Sequence, residues 1–356
     1  MSIGGSAEQK GYIIALFTLV AMASRPFSGR LSDTIGRVPV MMFGTVVCIL
    51  IGFLYPVLTF VLGFFALRFV HGLSTGFTPT GNAAYVADIV SKEERGAAMG
   101  YLGFFNSLGM AAGPALGSQL MLWVDGEYKW LFWLSSLIAL ISALVIFGLP
   151  ETLQAKQKMK LEFLKIRWED VFEPRVIKPS IVLLFTAFSF GVVLTVVPDL
   201  ATHIGMQNKG TFFSVFTFSS LFSRLTAGTV SDRIGRVPVL YASTILLTIS
   251  LTIIGYSETR TVFLVGSAIY GFALGINSPT IYAWAIDLSS ETHKGRGMGT
   301  VYIALEIAIG GGALIAGFMF ADQYERIGWP FLLSALLSAL GFIYLLFVRK
   351  REQIPG

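Results

Sequence analysis

The sequence predicts an all-α membrane protein of two parallel helical halves, with eleven transmembrane helices in the 356 residues given. Three observations predict it. The chain is 54% hydrophobic and only 13% charged, about half the charged fraction of a soluble globular domain. Eleven apolar runs approach or exceed the length of about 20 residues that a hydrocarbon core requires. A repeat recurs at a fixed offset of 199 residues. A mean hydropathy of +0.72 leaves too few polar side chains to cover a 38.7 kDa globule. A cytosolic enzyme, a disordered chain and a nucleic-acid binder are therefore excluded, despite a pI near 9.2.

The apolar runs fall at 11–29, 39–57, 60–86, 97–123, 130–149, 178–199, 210–229, 238–256, 261–286, 297–321 and 328–348. Their length argues against a β-barrel, whose membrane segments are about ten residues and alternate. The longest connection, 150–177, carries Lys156, Lys158, Lys160, Lys165, Arg167 and Arg175. It divides the chain into a first half, 1–149, with five spans, and a second half, 178–356, with six.

The repeat pairs Ser24-Arg25-Pro26-Phe27-Ser28-Gly29 and its continuation with the segment from Ser223. Ser24/Ser223, Arg25/Arg224, Gly29/Gly228, Asp33/Asp232, Gly36/Gly235, Arg37/Arg236 and Pro39/Pro238 match without a gap. The same offset aligns Lys10/Lys209, Gly72/Gly271, Gly76/Gly275, Asp88/Asp287, Gly96/Gly295 and Met99/Met298. The 178–199 span has no counterpart in this sequence. The repeat thus implies a twelve-span parent whose first helix is missing here.

Basic residues set the expected orientation. With the Asp33 loop in the cytoplasm, 18 lysines and arginines lie inside: Arg30, Arg37, Lys92, Arg95, the seven from Lys156 to Lys178, Arg233, Arg236, Lys294, Arg296 and Arg349 to Arg351. Five lie outside: Lys10, Lys129, Lys209, Arg260 and Arg326. Arg25, Arg68 and Arg224 fall within spans.

The single cysteine, Cys48, excludes an intrachain disulfide, and His71, His203 and His293 form no metal-ligand spacing. No metal site and no cofactor is expected. There is no GxxxxGK[ST] phosphate loop and no nucleophile with a base, which argues against an enzyme and against ATP as the energy source.

Several residues point to chemistry inside the membrane. Arg68 and Glu306 lie well within spans, where a charge costs about 2.5–3.5 kcal/mol on insertion scales and usually faces protein or water. Arg68, His71, Gly72, Thr75, Pro79 and Asn82 recur on one helical face, which reads as a cavity wall. Asn106 is placed on the same pathway. Tyr270, Asn277 and Trp284 lie seven apart and can line a pocket for an aromatic or amphipathic solute; aromatic packing is the plain alternative. Gly109, Gly113 and Gly117 lie four apart, a spacing that permits close helix packing. Pro114 among them removes a backbone donor and favours a bend.

These motifs together resemble the major facilitator superfamily of secondary transporters. Gly29-Arg30-Leu31-Ser32-Asp33-Thr34-Ile35-Gly36-Arg37 looks like that family's signature loop between its second and third helices, and Gly228 to Arg236 repeats it. Leu67-Arg68-Phe69-Val70-His71-Gly72 resembles the family's helix-four motif, with His71 where glutamine is common. Gly109 to Gly117 resembles the helix-five motif of the antiporter branches, and Pro150-Glu151-Thr152 the end of helix six. The resemblance implies that Gly29, Asp33, Gly36, Arg37, Gly228, Asp232, Gly235 and Arg236 form a conformational latch, and that the Gly109–Gly117 element is a hinge that seals the pathway.

The expected activity is alternating-access efflux of a small organic solute or drug, driven by a proton gradient. The expected setting is a monomer in the cell's inner membrane, contacting lipid and cargo and no nucleic acid. One competing reading is an uptake symporter for a sugar or organic acid. Another, of a different class, is a non-transporting scaffold or receptor, or an inactive fragment. The topology is directly testable. Single cysteines at positions 5 and 353 of a Cys48-free chain should be labelled from opposite faces, the first from outside. Labelling of both from one face would contradict the span count.

Overall fold

A computed structural model describes residues 7–58, 60–125, 127–165, 172–206, 210–290, 292–320 and 323–352. The ends expected outside and inside, 1–10 and 349–356, thus fall partly beyond the described residues, as do Lys209 and residues 166–171 of the linker. Among the described residues there are eleven α-helices and no strand. They are α1 (Ala7–Thr34), α2 (Arg37–Leu54), α3 (Val61–Ile89), α4 (Arg95–Trp123), α5 (Tyr128–Phe147), α6 (Ile177–His203), α7 (Thr211–Ile234), α8 (Arg236–Gly255), α9 (Arg260–Leu288), α10 (Lys294–Phe320) and α11 (Trp329–Glu352).

Among the described residues, seven segments are long and apolar enough to cross a membrane by length and composition: those containing α2, α5, α6, α8, α9, α10 and α11. The helix α7 shows why hydropathy stops short of the full set. Its 24 residues carry Ser214, Ser219, Ser220, Ser223 and Arg224 among the phenylalanines. A helix that gives polar groups to protein neighbours scores as less apolar than one that faces lipid. In contrast, α5 exposes Leu137, Ile141, Leu144 and Phe147, the surface a bilayer rather than water would cover.

The chain forms two compact units. The first comprises residues 1–89, 112–174 and 289–303; the second comprises 90–111, 175–288 and 304–356. Both units use segments from the two sequence repeats. In the first, α1 packs on α3, and α2 packs on α3 and α5. In the second, α7 packs on α9, and α8 on α9 and α11. These are the same pairings displaced by one repeat. The second unit adds α6, which packs on α11 and α9. Its core holds Val192, Val196, Phe212, Leu247, Leu251, Phe263 and Tyr270.

Glycine sets how closely these helices approach. A Cβ at Gly76 would meet Ala21 O at 2.9 Å and crowd Ser24; one at Gly275 would meet Ser220 O at 2.6 Å and crowd Ser223. These positions are one repeat apart and serve the equivalent α1–α3 and α7–α9 crossings.

The linker is strapped to the first unit. Gln157 N–H donates to Thr34 O at 2.8 Å and Arg30 Nη1 to Lys165 O at 2.6 Å. Phe163 is buried with Leu31, Val40 and Phe77. Gly275→Val should destabilise the protein by about 1–3 kcal/mol through overpacking. Gly310→Ala, where no described atom lies within 4 Å of the added carbon, should leave the melting temperature nearly unchanged. Thermal unfolding in detergent checks both, and equal effects would remove the close-packing account.

Candidate functional site

The most completely determined polar constellation lies where α1 ends and α2 begins. Gly36 has φ of 127°, a region that L side chains rarely adopt, so glycine permits the sharp turn. The turn returns Arg37 towards Asp33. Arg37 Nη1 lies 2.5 Å from Asp33 Oδ1 and also donates to Ser32 O. Asp33 is then occupied on its other side. Its two oxygens accept the backbone N–H groups of Gly295 at 2.7 Å and Arg296 at 2.8 Å, the first turn of α10. A helix N-terminus has amides without intrahelical partners and a partial positive charge, and a carboxylate answers both.

A second carboxylate extends the array. Asp88, at the end of α3, accepts from Arg37 Nε at 3.0 Å, Lys294 Nζ at 2.9 Å and Thr152 Oγ1 at 2.8 Å. Asp88 lies beyond the 60–86 span. Burial alone would raise its carboxyl, but Arg37 and the hydrogen bonds from Lys294, Thr152 and Arg37 hold it below the usual carboxylate value. Glu151 caps the start of α2: its carboxylate accepts from Arg37 N, Val38 N and Leu153 N at 2.9, 3.1 and 2.9 Å. Asp33, Arg37, Asp88, Thr152 and Lys294 border a cavity of about 830 Å³ that also receives Arg30, Gln154 and His293.

The second unit repeats the pattern. Gly235 has φ of 93°. Arg236 Nη1 pairs with Asp232, whose oxygens accept from Gly96 N and Ala97 N at 2.8 Å each, the start of α4. Asp287 takes the place of Asp88, paired with Arg236 Nε at 2.9 Å and Arg95 Nη1 at 3.6 Å. Gly29 and Gly228 face the two helix starts. A Cβ at Gly29 would lie 2.9 Å from Gly295 O, and one at Gly228 would overlap Gly96 and Ala97. The eight sequence-predicted latch residues are thus brought into two equivalent clusters.

The expected pathway residues are placed as follows. Arg68, half-buried on α3, lies with its guanidinium carbon 5.6, 5.5 and 5.8 Å from the ring centroids of Phe17, Tyr55 and Phe64, and among the described residues its buried Nε has no hydrogen-bond partner. The Tyr55 hydroxyl is 3.0 Å from His71 Nδ1. Thr75 and Asn82 are half-buried further along α3, and Asn106 is exposed on α4. On α9, Tyr270, Asn277 and Trp284 are all buried. Tyr270 shares a hydrogen bond with Ser189 and stacks near Phe216; Asn277 donates to Ser243. They are packed side chains. Glu306 is half-buried on α10.

The helix-five glycines behave differently from their spacing. Among the described residues no atom lies within 4 Å of a Cβ at Gly109 or Gly113, and Gly117 meets only Leu131. The close helix contacts of α4 are made instead by Gly96, Gly100 and Gly103. Pro114 lies within an unbroken α4, and its side chain lies outside the described residues.

Sequence reasoning gave no role to Asp88, Thr152, Lys294, Glu151 or Arg95. The signal for the first was present, since Asp88 and Asp287 align in the repeat.

A profile of the Major Facilitator Superfamily matches residues 2–211 and 179–356. Multidrug resistance protein 2 of Bacillus subtilis (strain 168) is 26% identical over 354 residues, covering 94% of this chain and 85% of that protein. The crystal structure of the human organic anion transporter MFSD10 (TETRAN) superposes with a TM-score of 0.79 at 22% identity, over 94% of this chain and 83% of the other. The proton:xylose symporter XylE bound to 6-bromo-6-deoxy-D-glucose superposes with a TM-score of 0.81 at 13% identity, over 97% and 88%. The two structural likenesses show a shared fold.

Asp33→Asn keeps the shape of the side chain but weakens the charge-assisted bonds to Arg37 and the α10 amides. It should leave membrane insertion intact and slow turnover by roughly tenfold to a hundredfold, since one lost charge-assisted contact is worth about 1.5–3 kcal/mol. An unchanged transport rate would reduce the cluster to a turn.

Proposed function

Because the chain belongs to the Major Facilitator Superfamily, a family of transporters rather than enzymes, we propose that it exports a small organic solute in exchange for protons by alternating access. The protein is a multi-pass integral membrane protein, and its partners are a small-molecule cargo and lipid. The export reading places it as a monomer in the cell's inner membrane, with the proton gradient as its energy source and no bound cofactor.

The observation that carries the export reading is likeness along nearly the whole chain to a bacterial protein named for multidrug resistance. Two intramembrane groups supply chemistry for coupling. Glu306, half-buried on α10, is the acidic side chain within a span that this reading assigns to coupling. Arg68 is a fixed cation whose aromatic surround lowers the cost of holding it in the membrane. Asp33 and Asp232 answer helix amides, which suits a latch.

The direction is read by comparing everted and right-side-out vesicles, with proton-driven solute accumulation expected only in the everted set. Glu306→Gln imitates the protonated acid. It should abolish uphill transport and preserve downhill solute exchange. Arg68→Lys should also fail, because an ammonium does not reproduce the planar guanidinium against three rings. Full proton-driven transport by Glu306→Gln would remove that residue from the coupling step.

A further inference from the structure

Arg25 and Arg224 occupy equivalent places in the two repeats, and the structure treats them differently. The equivalence is geometric as well as sequential. A Cβ at Gly299 would lie 3.1 Å from Arg25 O, and one at Gly100 would lie 3.0 Å from Arg224 O; these glycines are also one repeat apart. Each arginine therefore meets the same step of a neighbouring helix.

Arg25 is enclosed. It is 2% exposed. Its Nη1 donates to Gly76 O and Thr80 Oγ1, both at 3.3 Å, and its guanidinium lies 4.5 Å from the Tyr302 ring centroid. Ser28 completes the group by donating to Gly76 O at 2.8 Å.

Every side chain of that enclosure is removed around Arg224. One repeat away from Thr80 stands Pro279, from Ser28 stands Ala227, and from Tyr302 stands Gly103. Where the tyrosine ring covers Arg25, the second repeat leaves a glycine, and a Cβ at Gly103 would collide with Arg224 Nη1. Arg224 keeps one hydrogen bond, from Nε to Ser220 Oγ at 3.2 Å. Arg224 is half-buried, and among the described residues its two Nη groups have no hydrogen-bond partner. Among the described residues the one ionisable side chain in electrostatic contact with it is the Tyr282 phenol.

A guanidinium within a span, open on its donor edge and without a carboxylate, is costly unless something negative reaches it. The fork of Nη donors fits a planar carboxylate or a sulfonate in bidentate fashion. We propose that Arg224, with the clearance at Gly103 and the hydroxyl of Ser220, binds the anionic group of the transported solute, so that the cargo class is an organic anion. This rests on the transporter reading above for the word cargo; the anion site itself does not need it.

The test uses the full chain purified in detergent, with naphthalene-2-sulfonate as the probe and naphthalene-2-sulfonamide as its uncharged counterpart. The sulfonate should raise the melting temperature of the unaltered protein in a saturable way, and the sulfonamide should not. In Arg224→Gln the apparent affinity should fall roughly tenfold or more, as expected for losing a charge-assisted pair. Gly103→Ala keeps the arginine and fills the clearance, and should weaken the sulfonate as well. Arg25→Gln is the structural comparison and should lower the melting temperature without changing sulfonate affinity in the protein that remains folded.

Sodium sulfate and phosphatidylglycerol at matched anion concentration separate the sources of negative charge. Stabilisation by either one as strong as by the sulfonate overturns the organic-anion assignment. So does equal binding of the sulfonamide, or undiminished sulfonate binding in Arg224→Gln. Sulfonate binding that depends on Arg224, in a protein showing no proton-driven transport in vesicles, fails the exporter reading alone.

Discussion

A carboxylate laid across the first amides of a distant helix is the interaction on which the rest depends. Asp33 reaches Gly295 and Arg296, more than 260 residues away in sequence, and Asp232 reaches Gly96 and Ala97. A buried carboxylate costs several kcal/mol if left unanswered. Here the amides, the helix terminus and one arginine answer it together. The surrounding features serve that contact. A positive-φ glycine returns the arginine to the aspartate, a second aspartate fixes the other side of the guanidinium, and glycines at 29 and 228 let the helix start come close. Moving the helix start would strand the carboxylate and the arginine at once, so the contact resists loss unless both find other partners.

The two copies differ where their neighbours differ. Glu151 caps α2 through three backbone amides and fills the space beside Gly36. No carboxylate occupies that place beside Gly235, which meets only Pro238 among the described residues. The first copy is also strapped by the linker through Gln157, Lys165 and Phe163. The first cluster is therefore the more heavily supported of the two. The contrast between Arg25 and Arg224 follows the same logic: one repeat encloses its guanidinium with Gly76, Thr80 and Tyr302, and the other places Pro279 and Gly103 at the positions of Thr80 and Tyr302.

Much of this was legible in the sequence. The helices follow from long apolar runs, because a chain in lipid must satisfy its backbone internally. The residues of the two clusters were legible because the repeat prints them twice. Their partners were not, since the donors facing Asp33 and Asp232 are backbone amides that carry no side-chain signal. The roles of Asp88 and Glu151 needed the chain ends of three helices brought together. Glycine spacing did not locate a close contact at Gly109 or Gly113 among the described residues, because a small residue permits a close neighbour without supplying one. Tyr270, Asn277 and Trp284 share a face as expected, yet that face is buried in the second unit, where Tyr270 meets Ser189 and Asn277 meets Ser243.

The central claim is that the Asp33 contact is a conformational latch rather than a fixed joint. Spin labels at Thr34 and Thr292, on either side of it, report its state by electron–electron distance measurement in lipid nanodiscs. The account predicts a short-distance population in the unaltered chain and, in Asp33→Asn, a second population at longer distance that grows at the expense of the first. A single unshifted distribution in both proteins would contradict it.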